Sequence, residues 1–149
     1  MSGSAETGPS VEELRLRLES VLLAVATDWT GVDLRDLRPR DDDYPKVFRP
    51  AVLAAARQRY ETLWAGPLDF RHPPDGASVE IHLTPAAGLP SCTGFPPGYR
   101  DAVVLLVPER LWAAWKYVPP GAGAALSYDG LAWCDDHWAW FPKPFRLLP

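Results

Sequence analysis

The chain has 149 residues, of which 47% are hydrophobic and 23% are charged, and its formal net charge at neutral pH is −4. A chain of this length buries enough surface to fold without disulfides or metals, and its composition is typical of globular proteins. Its apolar runs, such as residues 102–107, are far shorter than the roughly 20 residues of a membrane span. Because the chain is acidic and shows no basic stripe, nucleic acid and membranes are both excluded as predicted partners.

The N-terminus and the cysteines predict the compartment. Residues 1–9 are small and polar and lack the basic and apolar regions of a signal peptide. We therefore predict a flexible leader at residues 1–9, followed by one α+β domain over residues 10–149. Cys92 and Cys134 are the only cysteines, too few for a disulfide-stapled secreted domain. The sequence predicts a cytoplasmic protein whose two thiols are reduced and not bonded to each other.

Two amphipathic helices are predicted in the first half of the chain. Ser10 and Glu13 have the spacing of a capping box, and apolar residues follow at helical intervals to about residue 26. Residues 28–31 are expected to end this helix, and residues 33–45 form a polar connection. Its three consecutive aspartates, Asp41, Asp42 and Asp43, are interpreted as a solvated loop. The second helix is expected to begin near Pro50, which suits the first helical position, and to end at Gly66.

The hydrophobic period then changes from that of a helix to that of a strand. Apolar and polar residues alternate over residues 79–84, which predicts a half-buried strand. A Pro- and Gly-rich loop over residues 85–99 follows, and the continuously apolar residues 102–107 favour a central strand. A short helix is predicted to start at residues 108–110 and to be ended by residues 119–121. It carries Leu111, Trp112 and Trp115.

The last segment is predicted to form a three-strand meander over residues 124–128, 131–134 and 137–141. Asp129-Gly130 is a strong hairpin-turn signal, and Asp135-Asp136 is a weaker one. This register places Cys134 opposite His137 and Trp133 opposite Trp138. It collects the large side chains on one face: Leu126, Tyr128, Leu131, Trp133, Trp138 and Trp140. The predicted fold class is α+β, with N-terminal helices packed on an antiparallel sheet that ends in a three-strand C-terminal meander.

The order of these predicted elements resembles that of the cone-shaped NTF2-like proteins, in which N-terminal helices cover a curved sheet. It also resembles that of small bacterial immunity proteins. No motif carries either comparison, so no residue and no activity is transferred from them. The GxGxxG, phosphate-loop, GxSxG and HExxH signatures are absent from the sequence.

Cys134-Asp135-Asp136-His137 is the sequence's main candidate for chemistry. A cysteine beside a histidine can act as a nucleophile, and both residue types bind zinc. However, the sequence has no CxxC or HxxxH pattern and only three other Cys or His residues. We therefore predict no metal, no cofactor and no catalytic residue, and we interpret the two aspartates as turn residues.

The strongest functional signal is the content of seven tryptophans. A domain of this size seldom hides so many, and Trp is enriched at binding hot spots. The sequence therefore predicts a non-catalytic protein-binding module of the immunity, adaptor or accessory type. Its exposed aromatic surface is expected to include Trp112, Trp115, Trp138 and Trp140.

Basic residues near this predicted surface, Lys116, Lys143 and Arg146, would steer an acidic partner protein towards it. Two alternatives stay open. In the first, the tryptophans simply form a core between the helices and the sheet. In the second, the chain is a small enzyme or ligand-binding cone whose Trp-lined pocket carries Glu80, His82 or His137.

Overall fold

The computed structural model describes residues 8–27, 35–68, 70–121 and 123–148. Residues 1–7 of the predicted leader, and the predicted end of the first helix at residues 28–31, lie outside this part of the chain. Within it, no helix has the length and apolarity that a membrane crossing requires.

Both predicted helices are confirmed. Helix α1 spans Val11–Thr27, and the capping box at its start is formed: Ser10 Oγ accepts from the Glu13 amide at 3.1 Å, and Glu13 Oε1 accepts from the Ser10 amide at 3.2 Å. A 3₁₀ turn at Asp41–Asp43 leads into the short helix α2, Tyr44–Val47. Helix α3 spans Leu53–Ala65, follows a 3₁₀ turn at Pro50–Val52 and ends at Gly66.

Four antiparallel strands form one sheet in the order β1-β2-β3-β4, which confirms the predicted α+β class. The strands are β1 (Ser78–Pro85), β2 (Leu111–Val118), β3 (Leu126–Trp133) and β4 (Trp138–Trp140). The last three make the C-terminal meander. Helix α1 covers one face of the sheet, and most of α3, together with the short helix α4 (Tyr99–Ala102), covers the other. Each face therefore carries its own apolar core.

The predictions for residues 102–118 are wrong. Residues 102–107 are not a central strand: α4 passes into a 3₁₀ turn at Val103–Leu105, and a single β-bridge joins Leu106 to Phe48. The predicted helix over residues 108–118 is instead the central strand β2. Trp112 and Trp115 have helical spacing in the sequence, but in the strand they lie on opposite faces. Because both faces are buried, β2 lacks the alternation that identifies a half-exposed strand.

Asp129-Gly130 is a β-bulge, and the prediction of a hairpin turn at this site is wrong. Strand β3 runs through it, with Ala114 opposite Asp129 and Ala113 opposite Leu131, so Gly130 is the extra residue. Gly130 has φ +101°, the positive φ that a two-residue turn would also have required. A two-residue turn and a bulge both shift by one residue the alternation of side chains between the two faces of the sheet. The six side chains predicted to share a face therefore do share it, although the turn is absent. The second predicted turn is confirmed, with Trp133 opposite Trp138.

Replacing Gly130 by Ala tests the bulge. A Cβ at this position would lie 2.3 Å from the Phe141 carbonyl oxygen and 2.6 Å from Pro142 Cα, both backbone atoms, and φ would be unfavourable as well. We expect Gly130→Ala to lower the free energy of unfolding by about 1–3 kcal/mol or more, measured by urea titration. Gly66→Ala is the control, because a Cβ there has nothing within 4 Å. Equal stability of the two variants would contradict this geometry.

The four tryptophans expected on the surface are buried. Trp112, Trp115, Trp138 and Trp140 are only 0%, 2%, 6% and 3% exposed. The expectation of an exposed aromatic surface is therefore wrong, although a role for these residues in binding stays a prediction. The physical reason is that both faces of the sheet are covered, so the protein has two apolar cores to fill with large side chains. The prediction of an exposed surface assumed a single core.

Trp115→Ala is expected to cost about 3–5 kcal/mol of folding stability, because the indole is packed against Tyr128 and Trp140 with ring centroids 5.4 and 5.9 Å away. Trp133 is half-buried at the rim, so Trp133→Ala should cost less than half as much. Guanidinium unfolding of both variants measures the difference. An unchanged midpoint for Trp115→Ala would show that Trp115 is outside the core.

Candidate functional site

Four cationic side chains line one cavity of about 390 Å³, here called the basic cavity. They come from three separate segments: α3, the chain that follows it, and the C-terminal segment after β4. These residues are Arg59, Arg71, Lys143 and Arg146. One carboxylate, that of Asp129, also lines the cavity, so positive charge dominates its surface.

The walls of the basic cavity are about half apolar, and aromatic rings form part of that surface. Their residues include Leu63, Leu68, Leu126, Tyr128 and Trp140. The ring of Tyr128 stacks on Phe70 with centroids 4.8 Å apart, and its hydroxyl accepts from the Arg71 amide at 2.9 Å. These contacts hold the segment that carries Arg71 against β3.

Several basic residues outside the basic cavity are paired with acids, whereas those that line it are not, within the part of the chain that the structure describes. Lys46, Arg110 and Lys116 each lie within 4 Å of a carboxylate oxygen. In the described ranges, none of the four cavity cations forms such an ion pair. The Nε of Arg59 is buried and has no hydrogen-bond partner among those residues. Unpaired cations in a concave, partly apolar site concentrate positive potential there and favour an anionic ligand.

Asp129 fixes the floor of the basic cavity. Its buried carboxylate accepts from the Tyr99 hydroxyl at 2.5 Å and from the Lys143 amide at 3.0 Å. Its backbone carbonyl accepts from Trp140 Nε1 at 2.7 Å. The hydrogen bond from the Lys143 amide is made with Lys143 in a left-handed conformation, with φ 53°. Burial, and then the charge of Asp129, raise the pKa of Tyr99 well above its usual value.

Tyr99→Phe tests this support. At pH ~7 it should cost about 1.5–3 kcal/mol, because it removes a hydrogen bond to a buried carboxylate. The raised pKa of Tyr99 stabilises the fold fully below pH ~10, where both states keep the phenol proton. Above that pH the unfolded chain loses the proton and the folded chain retains it, so stability falls as pH rises, by up to about 1.4 kcal/mol per pH unit.

The variant lacks this proton, so its stability should fall less steeply with pH than that of the unmutated protein above pH ~10. Urea titrations at several pH values measure the two slopes. Parallel pH profiles for the two proteins would contradict the assignment.

The second group of functional side chains is the His137 cluster, formed by Asp43, Cys134, Asp136 and His137. The predicted pairing of Cys134 with His137 is confirmed, since the Cys134 amide donates to the His137 carbonyl at 2.8 Å. His137 Nε2 lies 2.9 Å from both oxygens of Asp43, and Nδ1 bonds to Asp136. The interpretation of Asp43 as part of a solvated loop is wrong: it is fully buried, and its Oδ2 accepts from the Arg40 amide at 2.8 Å.

The cluster is not an activated cysteine nucleophile. Cys134 is fully buried, and this burial, with a further contribution from Asp43, raises the pKa of its thiol to about 12. Both ring nitrogens of His137 are already in contact with carboxylates, so neither serves as a base for the thiol. Cys92 and Cys134 are both free thiols.

The three residues of the alternative enzyme hypothesis do not converge. Glu80 lies on β1 with its Oε1 3.6 Å from Lys116 Nζ. The His82 ring, also on β1, packs against Gly94 so closely that a Cβ there would lie 2.4 Å from it. His137 follows the turn into β4, at the opposite edge of the sheet.

The predicted tryptophans are divided between two cavities and the core. Trp140 lines the basic cavity. Trp138 lines a second cavity of about 370 Å³, here called the Trp138 cavity, together with Trp133, Asp136 and His137. Trp112 and Trp115 line neither. Sequence analysis identified Lys143 and Arg146 as basic residues near a binding surface but missed Arg59, Arg71 and Asp43, which no local pattern distinguishes.

Comparison with known proteins gives no match: no family model fits the chain, and neither a curated protein nor a solved structure matches it. The geometry and the charges of the two cavities therefore carry the functional argument.

Proposed function

We propose that the chain is a non-catalytic protein-binding module that receives an acidic segment of a partner protein in the basic cavity. The observation that carries this proposal is the convergence on one concave site of four cations that have no ion-pair partner among the described residues. It occurs in a chain whose net charge is −4. Cations left without partners in a folded protein are available to a carboxylate from outside.

The chemistry of the site favours side-chain carboxylates. Arginine presents a planar fork that binds a carboxylate through two parallel hydrogen bonds, and three of the four cations are arginines. The volume of about 390 Å³ is near the lower end of the range for ligand pockets, so it suits a few side chains of a peptide. The apolar walls would contact the methylene groups and neighbouring apolar residues of that peptide.

Charge also favours a short acidic segment over a long polyanion. A nucleic acid extends beyond the cavity and encounters the predominantly acidic remainder of the molecule, where repulsion opposes binding. A peptide with a few carboxylates is confined to the basic cavity. In this proposal Trp140 contributes to the binding site directly, whereas Trp112 and Trp115 support it from the core.

A second candidate function is small-ligand binding in the Trp138 cavity. This candidate is favoured by one observation: His137 and Asp136 lie beside Trp133 and Trp138, which is the Trp-lined pocket with a histidine that the alternative hypothesis describes. Trp138 Nε1 is buried there without a hydrogen-bond partner among the described residues.

Charge substitutions at the rim of the basic cavity test the first proposal. A fluorescein-labelled peptide of alternating Glu and Ser should bind the unmutated protein, and Arg71→Glu with Arg146→Glu should weaken binding at least about tenfold, equivalent to ~1.4 kcal/mol. Both residues are exposed, so folding should be unaffected. Fluorescence anisotropy measures the affinity, and added salt should weaken it.

Lys116→Glu is the matched control, because Lys116 lies outside the basic cavity and is paired with Glu80. It should leave peptide affinity nearly unchanged. The corresponding Lys-Ser peptide should not bind. Equal loss of affinity in the control and in the Arg variants would show that the peptide is held by non-specific charge attraction and would contradict the proposal. Tighter binding of a labelled single-stranded oligonucleotide than of the peptide would also contradict it, and would indicate nucleic acid as the ligand.

A further inference from the structure

Three side chains with metal-binding atoms meet where the 3₁₀ turn at Asp41–Asp43 packs against the turn between β3 and β4. A carboxylate oxygen of Asp43, the sulfur of Cys134 and a ring nitrogen of His137 all lie within 4.8 Å of one another. Ligand atoms on one tetrahedral ion, with bond lengths of roughly 2.0–2.3 Å, have separations below this limit. Cys134 and His137 are close in sequence, but Asp43 lies 94 positions before His137, so the fold brings it to them.

We propose that Asp43, Cys134 and His137 bind a divalent ion of the zinc type. Thiolate, imidazole and carboxylate are the three ligand types that zinc takes from proteins, and a mixed set of them disfavours calcium and magnesium, which prefer oxygen alone. The sequence argument against a metal rested on the shortage of Cys and His residues. Asp43 supplies the third ligand, which was absent from that inventory.

The surroundings of His137 orient it as a ligand. Its Nδ1 bonds to Asp136, so that Nε2 is directed towards Asp43. Histidines that bind metals characteristically donate the second ring nitrogen to a carboxylate, which fixes the tautomer and increases the basicity of the ligating nitrogen. Asp136 is therefore a positioning residue for the site.

The charge balance of the site also suits a cation. Asp43 is fully buried, and among the described residues its only ion-pair partner is His137. Lys46 and Arg110 are close by, but both are paired with Asp135, at 3.5 and 2.8 Å. A buried carboxylate is costly unless it is paired, and a divalent ion would supply two positive charges where the contact with His137 supplies at most one.

Binding would proceed with protons balanced. The metal ion would displace the thiol proton of Cys134 and the proton that His137 Nε2 shares with Asp43, and both would be released to solvent. The three residues would then bind as thiolate, imidazole nitrogen and carboxylate. Two negative ligands then neutralise the divalent ion. Three protein ligands leave a fourth position for water, and the Trp138 cavity, which His137 and Asp136 also line, gives a route from solvent.

Cobalt titration of the chelator-treated full chain tests the site. Co²⁺ should produce a sulfur-to-cobalt charge-transfer band in the near ultraviolet that saturates at about one equivalent, and Zn²⁺ should abolish it by displacement. Cys134→Ser should lose the band, whereas the matched variant Cys92→Ser should keep it. Zn²⁺ should also raise the melting temperature of the unmutated protein and of Cys92→Ser.

Substitution of Asp136 avoids the risk that a core variant fails to fold, because this side chain is exposed. Asp136→Asn should fold normally and bind Zn²⁺ about 10–100-fold more weakly. The proposal is overturned by the absence of a charge-transfer band in the unmutated protein, by an equal band in folded Cys134→Ser, or by unchanged affinity in Asp136→Asn. None of these outcomes bears on peptide binding in the basic cavity, which is a separate site.

Discussion

The buried carboxylate of Asp129 is the contact on which the arrangement of the C-terminal half depends. It joins three parts of the molecule: strand β3, helix α4 through the Tyr99 hydroxyl, and the C-terminal segment through the Lys143 amide. The adjacent Gly130 lets the Phe141 backbone approach more closely than any side chain would allow. The bulge and the carboxylate therefore act together: one makes room for the C-terminal segment, and the other holds it in place.

The same contact builds the basic cavity. Lys143 is turned into a left-handed conformation immediately after β4, and the 3₁₀ turn at Pro144–Leu147 follows, placing Arg146 beside it. Both hydrogen bonds are accepted by Asp129 Oδ1, and among the described residues this carboxylate forms no ion pair, so its single negative charge offsets only part of the four positive charges that line the cavity. The acid at the floor of the cavity thus organises the site while leaving its positive charge available.

Local signals predicted α1, α3 and β1. The capping box at Ser10 and Glu13, the helix end at Gly66 and the alternation over residues 79–84 are each complete within a few residues, and all correspond to observed elements. The prediction of strand β2 failed because both of its faces are covered by the rest of the protein. Its apolar residues therefore do not alternate with polar ones, and the sequence shows no strand pattern. Asp129-Gly130 was ambiguous for a different reason, since a two-residue turn and a bulge both accommodate a positive φ at Gly130. Arg59, Arg71 and Asp43 were beyond prediction because tertiary packing alone brings them to their sites.

The distribution of charge has a consequence for how a partner would bind. Several basic residues outside the basic cavity are paired with acids, as Arg110 is with Asp135 and Lys116 with Glu80, so an excess of unpaired acids gives the remainder of the molecule a negative field. Over distances beyond about 8 Å at physiological salt, that field is largely screened. An acidic partner would therefore gain little from long-range steering, and its attraction would develop at contact, inside the cavity. The affinity of such a complex is controlled chiefly by its dissociation rate, since paired arginine contacts must break before the segment leaves.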